Sequence, residues 1–184
     1  TEMLYGGAPM WQVPLKQGQR VSPGQEFVYS SGDTNVVSYL WQLSLAGEPY
    51  VDWVDREVNE PLSLTDPLLE PDVSGIQVGS SFAYLTARDW ARYGNWWLDA
   101  YHGRDSRLSK EWQRLAVTPS KAAGGGIYGL SFWLNVNRGE FPSLPESNFH
   151  AGGNSGQFVM VMPESELVVV RLGLTLEEGK SDIN

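Results

Sequence analysis

Apolar residues at Val36, Val37, Leu40 and Leu43 recur at the three- and four-residue steps of a helix, which predicts a first helix over 34–45. Asp33 stands just ahead of it and is the predicted cap, its carboxylate accepting from first-turn N–H groups. A second helix is expected over 51–58, ending before Pro61. Residues 61–79 carry Pro67, Pro71 and Gly75 without a sustained period, the mark of a long loop. Thr86 and Asp89 form a Thr-x-x-Asp start to a third helix through Ala100, with Trp90, Tyr93, Trp97 and Leu98 on one broad face. Ser109 is the expected cap of a shorter helix through Leu115. After Pro119 the period changes. Ala122 to Gly126 read as a linker, and short β-rich runs follow at 128–136, 157–162 and 166–172, the last two joined as a hairpin by Pro163-Glu164-Ser165. Val168-Val169-Val170 suits a central strand buried on both faces, and residues 25–28 are strand-like. The opening stretch to about residue 22 reads as loop with at most a short helix.

This succession is an α+β pattern: a mostly helical region over 1–120, then antiparallel strands over 121–184. At 184 residues and 41% hydrophobic content, the chain suits one globular domain. A net charge of −9 with no basic run argues against binding a phosphate backbone, so no nucleic-acid partner is expected. The absence of cysteine excludes disulfides and thiolate metal sites while leaving the compartment open. With two histidines and no suitably spaced carboxylates, no metal is expected, nor any cofactor. No apolar run approaches the roughly 20 residues needed to span a bilayer.

Two short motifs carry the chemistry. Tyr29-Ser30-Ser31 sits at a strand-to-helix junction, where a side chain can project into a cleft. His150-Ala151-Gly152-Gly153 comes late, ahead of the β-rich hairpin. Together with the stretch 23–62, the segments Gly79-Ser80-Ser81-Phe82 and 86–94, and the strands of 149–172, these motifs cover nearly the whole chain. Over that length the sequence resembles the penicillin-recognising serine hydrolases, in particular the branch of class C-like β-lactamases, carboxylesterases and 6-aminohexanoate-dimer hydrolases. The resemblance implies a β-lactamase/transpeptidase-like fold. It gives Tyr29 the role of the tyrosine that assists proton transfer and puts Ser31 where the family's Tyr-x-Asn element has asparagine. It also makes His150, Ala151, Gly152 and Gly153 one wall of the active site, aligned either as His150-Ala151-Gly152 or as Ala151-Gly152-Gly153. Glycines suit that wall because preorganised N–H groups meet the negative charge of a tetrahedral intermediate best where no side chain obstructs them.

The family's nucleophile is the serine of Ser-x-x-Lys, activated by the lysine one helical turn on. Lys16, Lys110, Lys121 and Lys180 are preceded three residues earlier by Val13, Arg107, Thr118 and Glu177, none a serine. The chain therefore reads as an incomplete domain of a larger hydrolase, inactive by itself, its nucleophile in a missing amino-terminal segment. The implied activity is cleavage of an ester, amide or β-lactam through an acyl-enzyme. The alternative is a non-catalytic relative that binds peptidoglycan-like ligands or a protein partner. The missing segment or a second copy would cover surface left apolar by truncation. The resemblance favours a periplasmic or secreted location, with a cytoplasmic one also open.

Two look-alikes are set aside. Gly124-x-Gly126-x-x-Gly129 spells a dinucleotide-binding pattern but leads towards a strand rather than opening a helix. Gly153-Asn154-Ser155-Gly156 resembles a trypsin-like serine context without a histidine in a matching upstream position. His102 is expected in a turn. Arg171 lies on an apolar strand, where a guanidinium needs a carboxylate partner or the edge of a cleft.

Overall fold

Which residues meet which is decided by two different kinds of side-chain row, one polar on a helix and one apolar on a sheet. The computed structural model describes residues 2–122 and 124–175, arranged as two compact units. The first comprises 1–22 and 28–86, the second 23–27 and 87–184.

Among the described residues the first unit contains four α-helices, α1 (Glu2–Tyr5), α2 (Gln12–Leu15), α3 (Ser31–Ser44) and α4 (Tyr50–Val54). A π-helical turn, Asp55–Asn59, extends α4. Strands β1 (Leu68–Leu69) and β2 (Ala83–Tyr84) pair antiparallel. The main helix starts three residues earlier than the apolar pattern predicts. Its cap is Ser30, not Asp33: the Ser30 hydroxyl accepts from the Asp33 backbone N–H at 3.2 Å, and Asp33 lies inside the first turn. The serine wins because its extended backbone (φ −138°, ψ 112°) aims the hydroxyl back at the turn, while the Asp33 carboxylate favours the positive end of the helix dipole from within.

The buried row of α3 is polar. Asn35 and Ser38 are buried, and with Gln42 they form a row at i, i+3 and i+7. Asn35 Oδ1 accepts from Ser80 N–H (3.3 Å), Ser38 Oγ donates to Gln77 Oε1 (3.4 Å), and Gln42 Oε1 accepts from Gln77 N–H (2.5 Å). The apolar residues that define the sequence period, Val37, Leu40 and Leu43, are 57–64% exposed. The long loop of 61–79 is also more ordered than its composition suggests. Asp72 accepts from Met10 N–H (2.7 Å), Ser74 N–H (2.8 Å), Ser74 Oγ (2.6 Å) and Ile76 N–H (3.2 Å), tying the segment after α1 to this loop.

Among the described residues the second unit is a four-stranded antiparallel meander, order β3-β4-β5-β6, with two α-helices. The strands are β3 (Trp133–Leu134), β4 (Phe149–Gly153), β5 (Gln157–Met162) and β6 (Leu167–Arg171). The helices are α5 (Ala87–Tyr101) and α6 (Lys110–Ala116), the latter capped by Ser109 as expected, its hydroxyl accepting from Trp112 N–H at 3.1 Å. Alternation along the strands separates two faces. Phe149 and Val161, opposite each other in the β4–β5 register, join Leu134, Trp97, Leu98 and Phe132 in the core. At Gly94 of α5 a Cβ would come within 2.5 Å of Val168 Cγ1, so glycine lets the helix approach β6 closely.

Three strand expectations change. The run 128–136 is not one strand: Gly129 N–H donates to the Phe132 carbonyl (2.9 Å), Tyr128 and Trp133 make a single bridge, and only Trp133–Leu134 joins the sheet. Of residues 25–28 only Glu26 makes a β-bridge, short of a strand element. Instead Phe27 lies against Tyr128, ring centroids 5.1 Å apart. Val168-Val169-Val170 belongs to β6, which pairs only with β5 among the described residues. Val168 faces α5 while Val169 is 43% exposed, so its hydrophobic run covers one face, not two. The hairpin itself is as expected, turning through a 3-10 segment Pro163–Ser165 and a left-handed Glu166. Arg104 binds the Glu166 carboxylate with two nitrogens (3.0 and 2.7 Å), fastening this turn to the end of α5.

Candidate active site

Tyr29 and Ser31 lie in the first unit and the wall residues in the second. Tyr29 ends the extended segment before α3 and is 57% exposed. Ser31 is the first residue of α3, half-buried. Between them Ser30 fixes the junction twice over: its hydroxyl caps the helix, and its carbonyl accepts from Thr34 N–H (3.3 Å) and Thr34 Oγ1 (3.2 Å). The residue before a capped helix has its backbone direction set by that cap, so Tyr29 projects from a defined position.

All four predicted wall residues lie on β4. They do not share a face. His150 and Gly152 point to one side, Ala151 and Gly153 to the other, and Ala151 packs against the α5-facing core. His150 is 4% exposed, stacked on Phe158 (ring centroids 4.2 Å apart, 21° between planes) and met edge-on by Phe141 at 5.6 Å. Burial among these rings pushes its pKa down to about 4, so the imidazole is neutral near pH 7. Its Nε2 lies 3.4 Å from Glu140 Oε1, and burial also pushes the Glu140 carboxyl above its ordinary value.

Gly152 is exposed, and the atoms nearest to a Cβ built there are His150 Cδ2 and Nε2 and Trp133 Cδ1, each at 3.7 Å. The absent side chain thus leaves strand backbone accessible on the face where a neutral imidazole edge and an indole edge lie side by side. Glu140 and Phe141 were missed by sequence reasoning, since nothing in Gly139-Glu140-Phe141-Pro142 marks them as neighbours of a residue ten positions on. A signal for their anchor existed in Asn135, a lone amide in the apolar run Phe132 to Val136.

The family model for beta-lactamase matches residues 2–182. This chain belongs to the beta-lactamase family. Members of that family share the α+β architecture seen here, and two solved structures agree with it. One, from Bacillus anthracis, is named as a 6-aminohexanoate-dimer hydrolase: it has TM-score 0.67 and 20% identity, covering 83% of this chain and 39% of that one. The other is a beta-lactamase from Mycobacterium bovis, with TM-score 0.63 and 22% identity, covering 82% of this chain and 57% of that one. At these identities the likeness is one of fold. The beta-lactamase-family chain spans less than two-thirds of the length of either. None of the curated proteins matches it.

Elsewhere the look-alikes behave as loops. Ser155 sits in the 3-10 turn Asn154–Gly156 with φ 59°. Arg171 donates to the Gly156 carbonyl (2.5 Å) and Thr175 Oγ1 (3.1 Å). Among the described residues no three His, Asp or Glu side chains converge as metal ligands would, and no helix is long and apolar enough to cross a membrane. Lys180 and the end of the strand-bearing region lie outside the described residues.

Proposed function

We propose that this chain forms part of a serine hydrolase acting on ester, amide or β-lactam bonds through an acyl-enzyme, with the attacking serine outside these 184 residues. The observation that carries the reading is the open face of β4, where Gly152 leaves backbone accessible beside His150 Nε2 and Trp133. A carbonyl laid along that strand would find N–H groups unobstructed by a side chain, the requirement for holding an oxyanion. Of the two alignments of the wall, the shared face of His150 and Gly152 favours His150-Ala151-Gly152. Tyr29 would move the proton between nucleophile and leaving group, and Ser31 would donate a hydrogen bond in the place where relatives use asparagine. Ala151 and Gly153, turned to the other face, support the strand rather than touch substrate.

Acyl transfer needs a nucleophile, and no serine stands three residues before a lysine in this sequence. Treated with nitrocefin or a p-nitrophenyl ester, the 184-residue chain is expected to show no acyl adduct by mass spectrometry; a stoichiometric adduct would overturn the reading. A longer polypeptide encoded by the same reading frame should carry Ser-x-x-Lys ahead of Tyr29 and acylate at that serine. There, Tyr29→Phe should lower kcat/KM by about 10²–10⁴-fold, the usual loss for a proton-transfer group. An in-frame sequence without Ser-x-x-Lys would instead support a binding relative that keeps the wall without the chemistry.

A further inference from the structure

Between β3 and β4 the chain makes a loop, 136–145, that carries two consecutive left-handed residues other than glycine, Asn137 (φ 53°) and Arg138 (φ 55°). Such conformations persist only where the surroundings over-determine them. Here one buried side chain spans the loop from its start to its far end. Asn135 is 2% exposed. Its Nδ2 reaches the carbonyls of Phe141 (3.0 Å), Leu144 (3.2 Å) and Pro145 (3.1 Å), and its Oδ1 accepts from Phe141 N–H (2.9 Å). Both amide N–H groups are thus engaged, shared among three carbonyls, and the amide oxygen accepts one bond in addition. The Asn135 carbonyl also accepts from Arg138 N–H at 3.0 Å. Backbone bonds close the remaining turns, Gly139 N–H to the Val136 carbonyl (3.1 Å) and Leu144 N–H to the Phe141 carbonyl (3.0 Å), so the buried amide ties the start of the loop to its far end at 141–145.

What the loop delivers is the environment of the wall. Phe141, held by both its N–H and its carbonyl, presents its ring edge to His150 and lies 5.8 Å from Phe158, and its neighbour Glu140 brings a carboxylate to His150 Nε2. We propose that the 136–145 loop is the rim of the substrate wall and that Asn135 is the positioning residue that sets it, with Glu140 and Phe141 determining which groups fit beside Gly152. This deepens the hydrolase reading and rests on it for the word substrate; the placement of the rim does not. Asn135 itself touches no reacting group in this scheme. It acts through Glu140 and Phe141.

The test needs no turnover, so failure of the acyl-transfer reading leaves it intact. With only two histidines in the sequence, the imidazole signals of the full chain are separable by NMR. In the unsubstituted chain His150 should titrate near 4 and the Phe141 amide should exchange as slowly as the amides of β4. Asn135→Ala should move the His150 midpoint up by roughly one unit or more, as water reaches the ring, while β4 and β5 amides keep their protection. Phe141→Ala should raise the midpoint in the same direction with Asn135 untouched. A fast-exchanging Phe141 amide in the unsubstituted chain would overturn the proposal whether or not the variants fold. An unchanged His150 midpoint in folded Asn135→Ala, or loss of β4 and β5 protection together with the loop, would also overturn it.

Discussion

The two units of this chain turn different rows inward on their main elements, although each buries some residues of both kinds. In the second, β4 and β5 press Phe149 and Val161 against Trp97, Leu98 and Phe132, a contiguous apolar core of the ordinary sort. In the first, the longest helix turns Asn35, Ser38 and Gln42 inward to hydrogen-bond 77–80, leaves Val37, Leu40 and Leu43 outside, and Asp72 fastens one loop to another. Apolar burial is roughly proportional to area and tolerant of direction, whereas a buried hydrogen bond adds little net stability when made and costs much when broken. The sheet unit should therefore resist perturbation by bulk. The helical unit should depend on a few specific anchors.

The largest expected effect tests the apolar side. Phe149 is 1% exposed with its ring 5.0 Å from that of Phe132, and Phe149→Ala removes the centre of the core. It should cost about 3–5 kcal/mol, with amide exchange accelerating across 87–101 and 149–171 before residues 31–44 respond. An equal acceleration in both units would show that they unfold as one and would break the comparison.

Acidification should separate the units next. His150, with a pKa pushed down to about 4 by burial, stays neutral in the folded state while an unfolded histidine protonates near 6.5. The unfolded chain then binds more protons, so the second unit's stability is fully present above pH 6.5 and falls by about 3 kcal/mol as the pH drops towards 4. Glu140 works the other way, since burial raises its pKa and its protonation on acidification relieves a cost. His150→Phe should abolish the loss between pH 6.5 and 4, read by denaturant unfolding at stepped pH. A slope that survives the substitution would place the titrating group elsewhere.

The polar side is tested by Asp72. Burial alone would raise its pKa, but donation from Ser74, Met10 and Ile76 outweighs burial and holds it below the ordinary carboxylate value. Its contribution is thus present above the unfolded value of 3.8 and is lost only as the pH falls through a still lower folded value, beneath the His150 window. Asp72→Ala leaves three backbone N–H groups without their acceptor and should cost about 2 kcal/mol, loosening 9–15 and 72–78 while the sheet keeps its exchange protection.

These contrasts also mark how far the sequence could be read. The α+β class, the Ser109-capped helix and the 157–171 hairpin were legible because period, cap and turn residues agree with one another at each place. The wall motif was legible as a strand but not as two faces, because one strand alone does not say which side its partners cover. The core did not follow from pattern in α3, where hydrogen-bonded polar residues displaced the apolar row from the interior, nor in β6, where three consecutive valines sit on a strand with one partner among the described residues. The 136–145 rim was illegible for a further reason: it is assembled by a carboxamide reaching six to ten residues ahead, and spacing carries no trace of that.

The smallest expected effect is the one that decides what the outward row of α3 is. If Leu40 and Leu43, at 57% and 59% exposure, face water in the isolated chain, then Leu40→Gln and Leu43→Gln remove little buried area, and each should change the unfolding free energy by no more than about 0.5 kcal/mol. Glutamine is an adequate helix former, so propensity does not confuse the result. A row of three apolar residues on one helix is also a surface that associates, and light scattering should show whether the parent chain self-associates with rising concentration while the double variant stays monomeric. A loss of stability above about 2 kcal/mol would mean the row is covered by something, since exposed leucines cannot supply that much. Helix α3 would then pack on an apolar row as well as a polar one, and its difference from the sheet unit would be one of where the covering side chains come from rather than of kind.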